Sequence, residues 1–130
     1  MPETDPLLDL HRAGAFSNAD LVGFRARAEE LELDNIVIVP GLIQETFPTI
    51  AAHAFGLAHV DVDIYSAVKY AQDAVWPVLV DDGWLVYDDA NAPTCLGAKR
   101  AAEELVIEKG IHSEQVWPHW VFRRTRRSGS

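Results

Sequence analysis

Two short apolar runs in this chain each finish in a pair of acids. Leu57-Ala58-His59-Val60-Asp61-Val62-Asp63-Ile64-Tyr65 is the denser, and Trp84-Leu85-Val86-Tyr87-Asp88-Asp89 is the second. In an extended strand, residues two apart point to one side, so Asp61 and Asp63 share a face roughly 6–7 Å apart. Carboxylates gathered in this way repel one another. They either rise in pKa or take a counter-charge, and hard oxygen donors select Mg²⁺, Ca²⁺ or Mn²⁺. The competing use of a strand-end acid is structural. Asp63 ahead of Ser66, or Asp89 ahead of a helix at Gly97, would serve simply to cap the helix that follows.

The elements around these acids decide between the two uses. Asp61 and Asp88 are separated by close to the roughly 30 residues of one βαβ unit, which makes their strands parallel neighbours with both acidic ends at one edge. In open α/β sheets the ligand crevice lies at the carboxyl ends of the strands. The remaining pattern agrees with that class. The spacing from Ser17 to Leu33 predicts a helix with one apolar face, capped at Ser17 or Asn18. Asn35 to Val39 reads as a buried β-branched strand, and Thr49 to Phe55 as a brief helix. Leu57 to Val62 is a strand, Ser66 to Trp76 a helix, and Gly83 to Tyr87 a strand entered through an Asp81-Asp82-Gly83 turn. A helix from Gly97 to Lys109 stops at Gly110, and Val116 to Arg123 forms a last strand or hairpin broken at Pro118. This alternation predicts an α/β domain with a mostly parallel, Rossmann-like sheet flanked by helices.

Composition sets the outer bounds. The chain has 130 residues, 48% hydrophobic, enough for one domain with a core. Its 20 acids against 11 lysines and arginines leave a net charge of -9, which argues against nucleic acid and for cations or neutral substrates. One cysteine, Cys95, rules out an internal disulfide and a cysteine-based zinc site. No apolar run approaches the ~20 residues of a membrane span, and Met1 to Leu10 lacks the basic start of a signal peptide, so the expectation is a cytoplasmic protein with no membrane partner. Residues 1–16 read as an N-terminal extension, 17–123 as the α/β domain and 124–130 as a basic tail.

Taken together, Gly41-Leu42-Ile43-Gln44-Glu45-Thr46-Phe47-Pro48, His59 to Tyr65, Trp76 to Gly83, Val86 to Asp89 and Gly97 to Glu104 resemble the macrocin O-methyltransferase family. Its members are class I S-adenosylmethionine-dependent sugar O-methyltransferases, and the likeness runs from about Leu21 to Arg123. The resemblance implies that Asp61, Asp88 and Asp89 hold a divalent cation such as Mg²⁺ and that Asp63 is the general base. It also places Tyr65 against a small hydroxylated substrate. A cation and a base have separate tasks in such a reaction, because a sugar hydroxyl is a poor nucleophile near neutral pH. The resemblance covers the C-terminal portion of the family fold, without the first two strands. The family's glycine-rich donor turn has no counterpart between Met1 and Phe16, where His11-Arg12-Ala13-Gly14-Ala15-Phe16 holds one glycine and follows no apolar strand. A sheet built this way leaves the edge beside the Asp61 strand bare, which predicts a homo-oligomer or association with another chain.

Two other functional readings fit parts of the pattern. A haloacid dehalogenase-like phosphohydrolase also carries an Asp-x-Asp and a later Asp-Asp after apolar strands, but needs a Thr or Ser strand and a Lys between them. A non-enzymatic subunit derived from a methyltransferase explains the missing donor turn. His53, His59, His112 and His119 show no ligand spacing among themselves and read as structural histidines. Cys95 has no base near it in sequence. The four tryptophans read as core or interface, and Lys99 and Arg100 as helix surface.

Overall fold

The computed structural model describes residues 21–62, 64–88, 90 and 96–125. Its elements, in chain order, are α1 (Leu21–Glu30), α2 (Ile43–Thr46), β1 (Phe55–Val60), α3 (Tyr65–Val75), β2 (Leu79–Tyr87), α4 (Leu96–Lys109) and β3 (Trp120–Arg124). The sheet has the order β1-β2-β3. β1 and β2 are parallel neighbours, as the apolar runs and their spacing predict, whereas β3 returns antiparallel to β2. Among the described residues the sheet is therefore mixed, with one parallel and one antiparallel pairing.

Strand alternation gives the sheet two unlike faces. Ala58, Leu85 and Phe122 lie in register on one face, followed by Val60, Tyr87 and Trp120. This face carries the core, where Leu85, Tyr87 and Phe122 are fully buried together with Val68 of α3 and Leu105 of α4. On α3 the buried positions Ala67, Val68, Ala71, Gln72 and Val75 recur at the three- and four-residue spacing of one helix face. The sole fully buried polar side chain in that row, Gln72, accepts a hydrogen bond from the Tyr87 hydroxyl. On α4 the buried residues are small, Gly97, Ala98, Ala101 and Ala102, before Leu105. The helix ends where Gly110 adopts φ +62° and its N–H bonds the Val106 carbonyl, 2.9 Å away. Lys69 of α3 reaches Glu108 of α4 at 2.8 Å.

Several local expectations are corrected. Asn35 to Val39 forms no strand, and Val37 in its middle is 85% exposed. β-branched residues favour a pleated, half-buried setting, but a strand also needs an edge to pair with. The helix expected over Thr49 to Phe55 lies earlier, as α2 and a 3-10 turn at Phe47–Thr49, and Phe55 already belongs to β1. Asp81-Asp82-Gly83 is not a turn ahead of β2 but an irregularity inside it. The register with β1 jumps from Phe55↔Leu79 to Leu57↔Trp84, and Asp82 takes φ +64°. Gly83 fits there because a Cβ would stand 2.9 Å from the Val80 carbonyl oxygen. The last hairpin pairs Gln115 with Val121, and its Trp117–Pro118 peptide is cis. α1 has no buried residue, and its Val22 and Phe24 are more than half exposed. The caps expected at Ser17 and Asn18 lie outside the described residues.

Candidate functional site

The sheet brings the two strand-end acids to one edge. Val60 and Tyr87 are register partners, and the Asp88 N–H donates to the Val60 carbonyl at 3.0 Å, so Asp61 and Asp88 are the next residues on neighbouring strands. Asp61 is exposed and Asp88 half-buried. Asp63 and Asp89 lie outside the described residues, as does Cys95.

Alternation places Leu57, His59 and Asp61 on the face opposite the core, with Trp84, Val86 and Asp88 beside them. Two histidines meet Asp88 on that face. The His59 Nε2–H donates to Asp88 Oδ1 at 3.1 Å. The His119 Nδ1–H donates to the Asp88 backbone carbonyl, also at 3.1 Å, and stands 3.9 Å from Oδ1. The imidazole rings lie edge to face, with centroids 6.2 Å apart. Read from the sequence, these are unrelated structural histidines. His59 could have been found from its place two residues before Asp61, on the same side of the strand. His119 could not, because it arrives through the antiparallel return of β3.

Tyr65, at the first turn of α3, donates its hydroxyl to Glu104 of α4. Burial, then the hydrogen bond and charge of Glu104, raise its pKa above the ordinary 10.0, against the opposing charges of Lys69 and Arg100. The position that the resemblance assigns to substrate is thus tied to a helix–helix seam. Lys99 and Arg100 are exposed on α4, as expected of a helix surface. Trp76 is buried and Trp117 is 74% exposed. Trp84 carries the Arg123 guanidinium 4.2 Å above its ring.

A divalent cation would draw on Asp61 and Asp88 among the described acids. Mg²⁺ commonly binds through one or two carboxylates and fills its remaining positions with water, and here Asp88 also accepts from His59. Among the described residues no group of three or more His, Cys, Asp or Glu is arranged to hold a metal.

The three-stranded sheet and its flanking helices match a partial class I methyltransferase fold. A family model described as a methyltransferase domain matches residues 7–90, and the chain belongs to that family. Solved structures share the fold. The O-methyltransferase NovP matches at 20% identity with a TM-score of 0.75, over 88% of this chain and 50% of its own. The calicheamicin methyltransferase CalS11 matches at 19% identity and a TM-score of 0.73, over 95% of this chain and 56% of its own. The apo form of CalS11, described as a TDP-rhamnose 3'-O-methyltransferase, matches at 21% identity and a TM-score of 0.64, over 78% and 52%. This chain spans about half the length of these structures. No curated protein matches the sequence. Membership in the methyltransferase family displaces the phosphohydrolase reading. No helix among the described residues is long and apolar enough to cross a membrane.

Proposed function

We propose that this chain carries the acceptor side of an O-methyl transfer from S-adenosylmethionine to a small hydroxylated molecule, in the manner of the macrocin-type enzymes. One observation carries the reading. In a chain of the methyltransferase family, Asp61 and Asp88 stand side by side at the carboxyl ends of adjacent parallel strands, the crevice position of open α/β sheets. Asp61, Asp88 and Asp89 would hold a divalent cation, which when bound makes a coordinated hydroxyl more acidic. Asp63 would take the hydroxyl proton, and Tyr65, held by Glu104, would border the acceptor. His59, bonded to Asp88 Oδ1, holds the Asp88 carboxylate in place at the strand end. A second reading, an interaction subunit without activity of its own, draws on the edge of β1 that pairs with no strand among the described residues.

Thermal unfolding with and without a cation tests the assignment. Millimolar Mg²⁺ or Mn²⁺ is expected to raise the melting temperature by several degrees, since a ligand that binds only the folded state stabilises it by mass action. Asp88→Asn should remove the gain. Superimposable melting curves for the parent chain with and without either ion would overturn the cation's place in the proposal.

A further inference from the structure

Asp88 directly follows β2, and it is held at three points. Its N–H donates to the Val60 carbonyl of β1 at 3.0 Å. Its carboxylate Oδ1 accepts from His59, also on β1, at 3.1 Å. Its backbone carbonyl accepts from the His119 Nδ1–H at 3.1 Å, and this bond arrives from the β3 side. The ladder between β2 and β3 has its last register pair at Tyr87↔Trp120, so His119 stands one step beyond it and replaces a ladder bond with a side-chain bond. A carbonyl oxygen only accepts, which fixes the proton of the neutral ring on Nδ1. His119 is itself fixed. The Glu114 N–H donates to the Val121 carbonyl at 2.7 Å and the Val121 N–H to the Gln115 carbonyl at 2.8 Å, closing the loop of residues 116–120 that carries it.

The two histidines divide the work. The bond from His59 restrains the carboxylate, but a carboxylate keeps its direction only while the peptide that bears it is fixed. The N–H bond to Val60 secures one side of the Asp88 Cα, and the bond from His119 secures the other. Asp61, the next residue after β1, is exposed, so the fold grips one of the two neighbouring acids more firmly. We propose that His119 is a positioning residue for the acid site: by holding the Asp88 peptide it sets the direction in which the carboxylate leaves the end of β2. The antiparallel return of β3 thereby completes the site with a residue 31 positions beyond Asp88. This inference rests on the reading of Asp88 as a working acid of the methyl transfer. Groups that orient a ligating carboxylate change cation affinity or activity by about 10–100-fold when they are removed.

His119→Ala and His119→Asn separate positioning from packing. The Asn carboxamide nitrogen is attached to Cγ, where the imidazole carries Nδ1, so it restores the donor without the ring. In the full chain, His119→Ala is expected to keep the far-ultraviolet circular dichroism of the parent. The three-bond Hα–Hβ couplings of Asp88, read by nuclear magnetic resonance without a cation, should move toward rotamer-averaged values. Mn²⁺ binding, followed by the paramagnetic resonance of the free ion, should weaken about tenfold. His119→Asn should return both readouts toward the parent. Couplings unmoved in His119→Ala, unchanged Mn²⁺ affinity beside moved couplings, or a loss that His119→Asn does not repair would each overturn the proposal. Should His119→Ala fail to fold, parent-like couplings in His119→Asn support the proposal and averaged ones overturn it. A parent chain that binds no Mn²⁺ overturns the cation's place in the site, and the couplings alone then decide the role of His119.

Discussion

The stretch from Leu21 to Val39 and the sheet with α3 and α4 are built from comparably apolar residues and end in opposite states. α1 has no buried residue, and Val22, Phe24, Leu31 and Val37 are all more than half exposed. In the sheet region Leu85, Tyr87 and Phe122 have no exposed surface. Local pattern alone does not separate the two. The sheet region closes because β2 has a neighbour on both sides and two helices above one face, so each apolar residue meets others from distant parts of the chain. Apolar content stabilises a fold only where a second surface receives it.

The largest contrast is expected from paired truncations. Phe122→Ala should cost about 3–5 kcal/mol in denaturant unfolding. Phe24→Ala, on the exposed face of α1, should stay within about 0.5 kcal/mol. Comparable losses at both positions would erase the distinction.

A smaller effect separates the regions by pH. Burial raises the Tyr87 hydroxyl pKa well above 10.0, and Tyr65 is raised by burial and Glu104. At Lys69 burial works downward, but the bond to Glu108 and the charges of Asp73, Glu108 and Glu104 outweigh it and raise the pKa above 10.5. All three groups keep their protons longer when folded than when unfolded. Their contribution to stability is complete below about pH 10 and is lost as pH rises through the folded values. Urea unfolding at pH 9 and pH 11 should show the loss, and Tyr65→Phe should reduce it.

The smallest expected effect sharpens the comparison at the level of ion pairs. Lys69, with 22% side-chain exposure, bridges α3 to both Asp73 and Glu108. Arg27–Glu30 on α1 is 66% and 68% exposed and local. Lys69→Ala should lower the unfolding midpoint measurably. Arg27→Ala should change stability by no more than about 0.5 kcal/mol.

What the sequence disclosed follows the same divide. The adjacency of β1 and β2 was legible from two apolar runs one crossover apart, and the end of α4 from Gly110. Asp61 and Asp88 were legible as neighbours because parallel register carries strand ends to one edge. The run Asn35–Val39 misled because its residue types state a preference for strand while saying nothing about an available partner. Asp81-Asp82-Gly83 misled because a turn signal also suits a bulge within a strand. The meeting of His59 and His119 at Asp88 was hidden because it depends on β3 running antiparallel, which the alternation of strands and helices did not indicate.

The central place of β2 also governs how the molecule must assemble. One of its edges waits for β1 across the α3 crossover, and the other waits for β3, which arrives only after α4 has been laid down. Neither pairing is a hairpin of neighbouring residues. Each requires the closure of a long loop before any ladder bond forms, and folding rates fall as such distant pairings dominate. With Leu85 and Tyr87 unable to bury fully until Phe122 is in place, a chain stopped short of β3 would present the central strand of its sheet as an open edge.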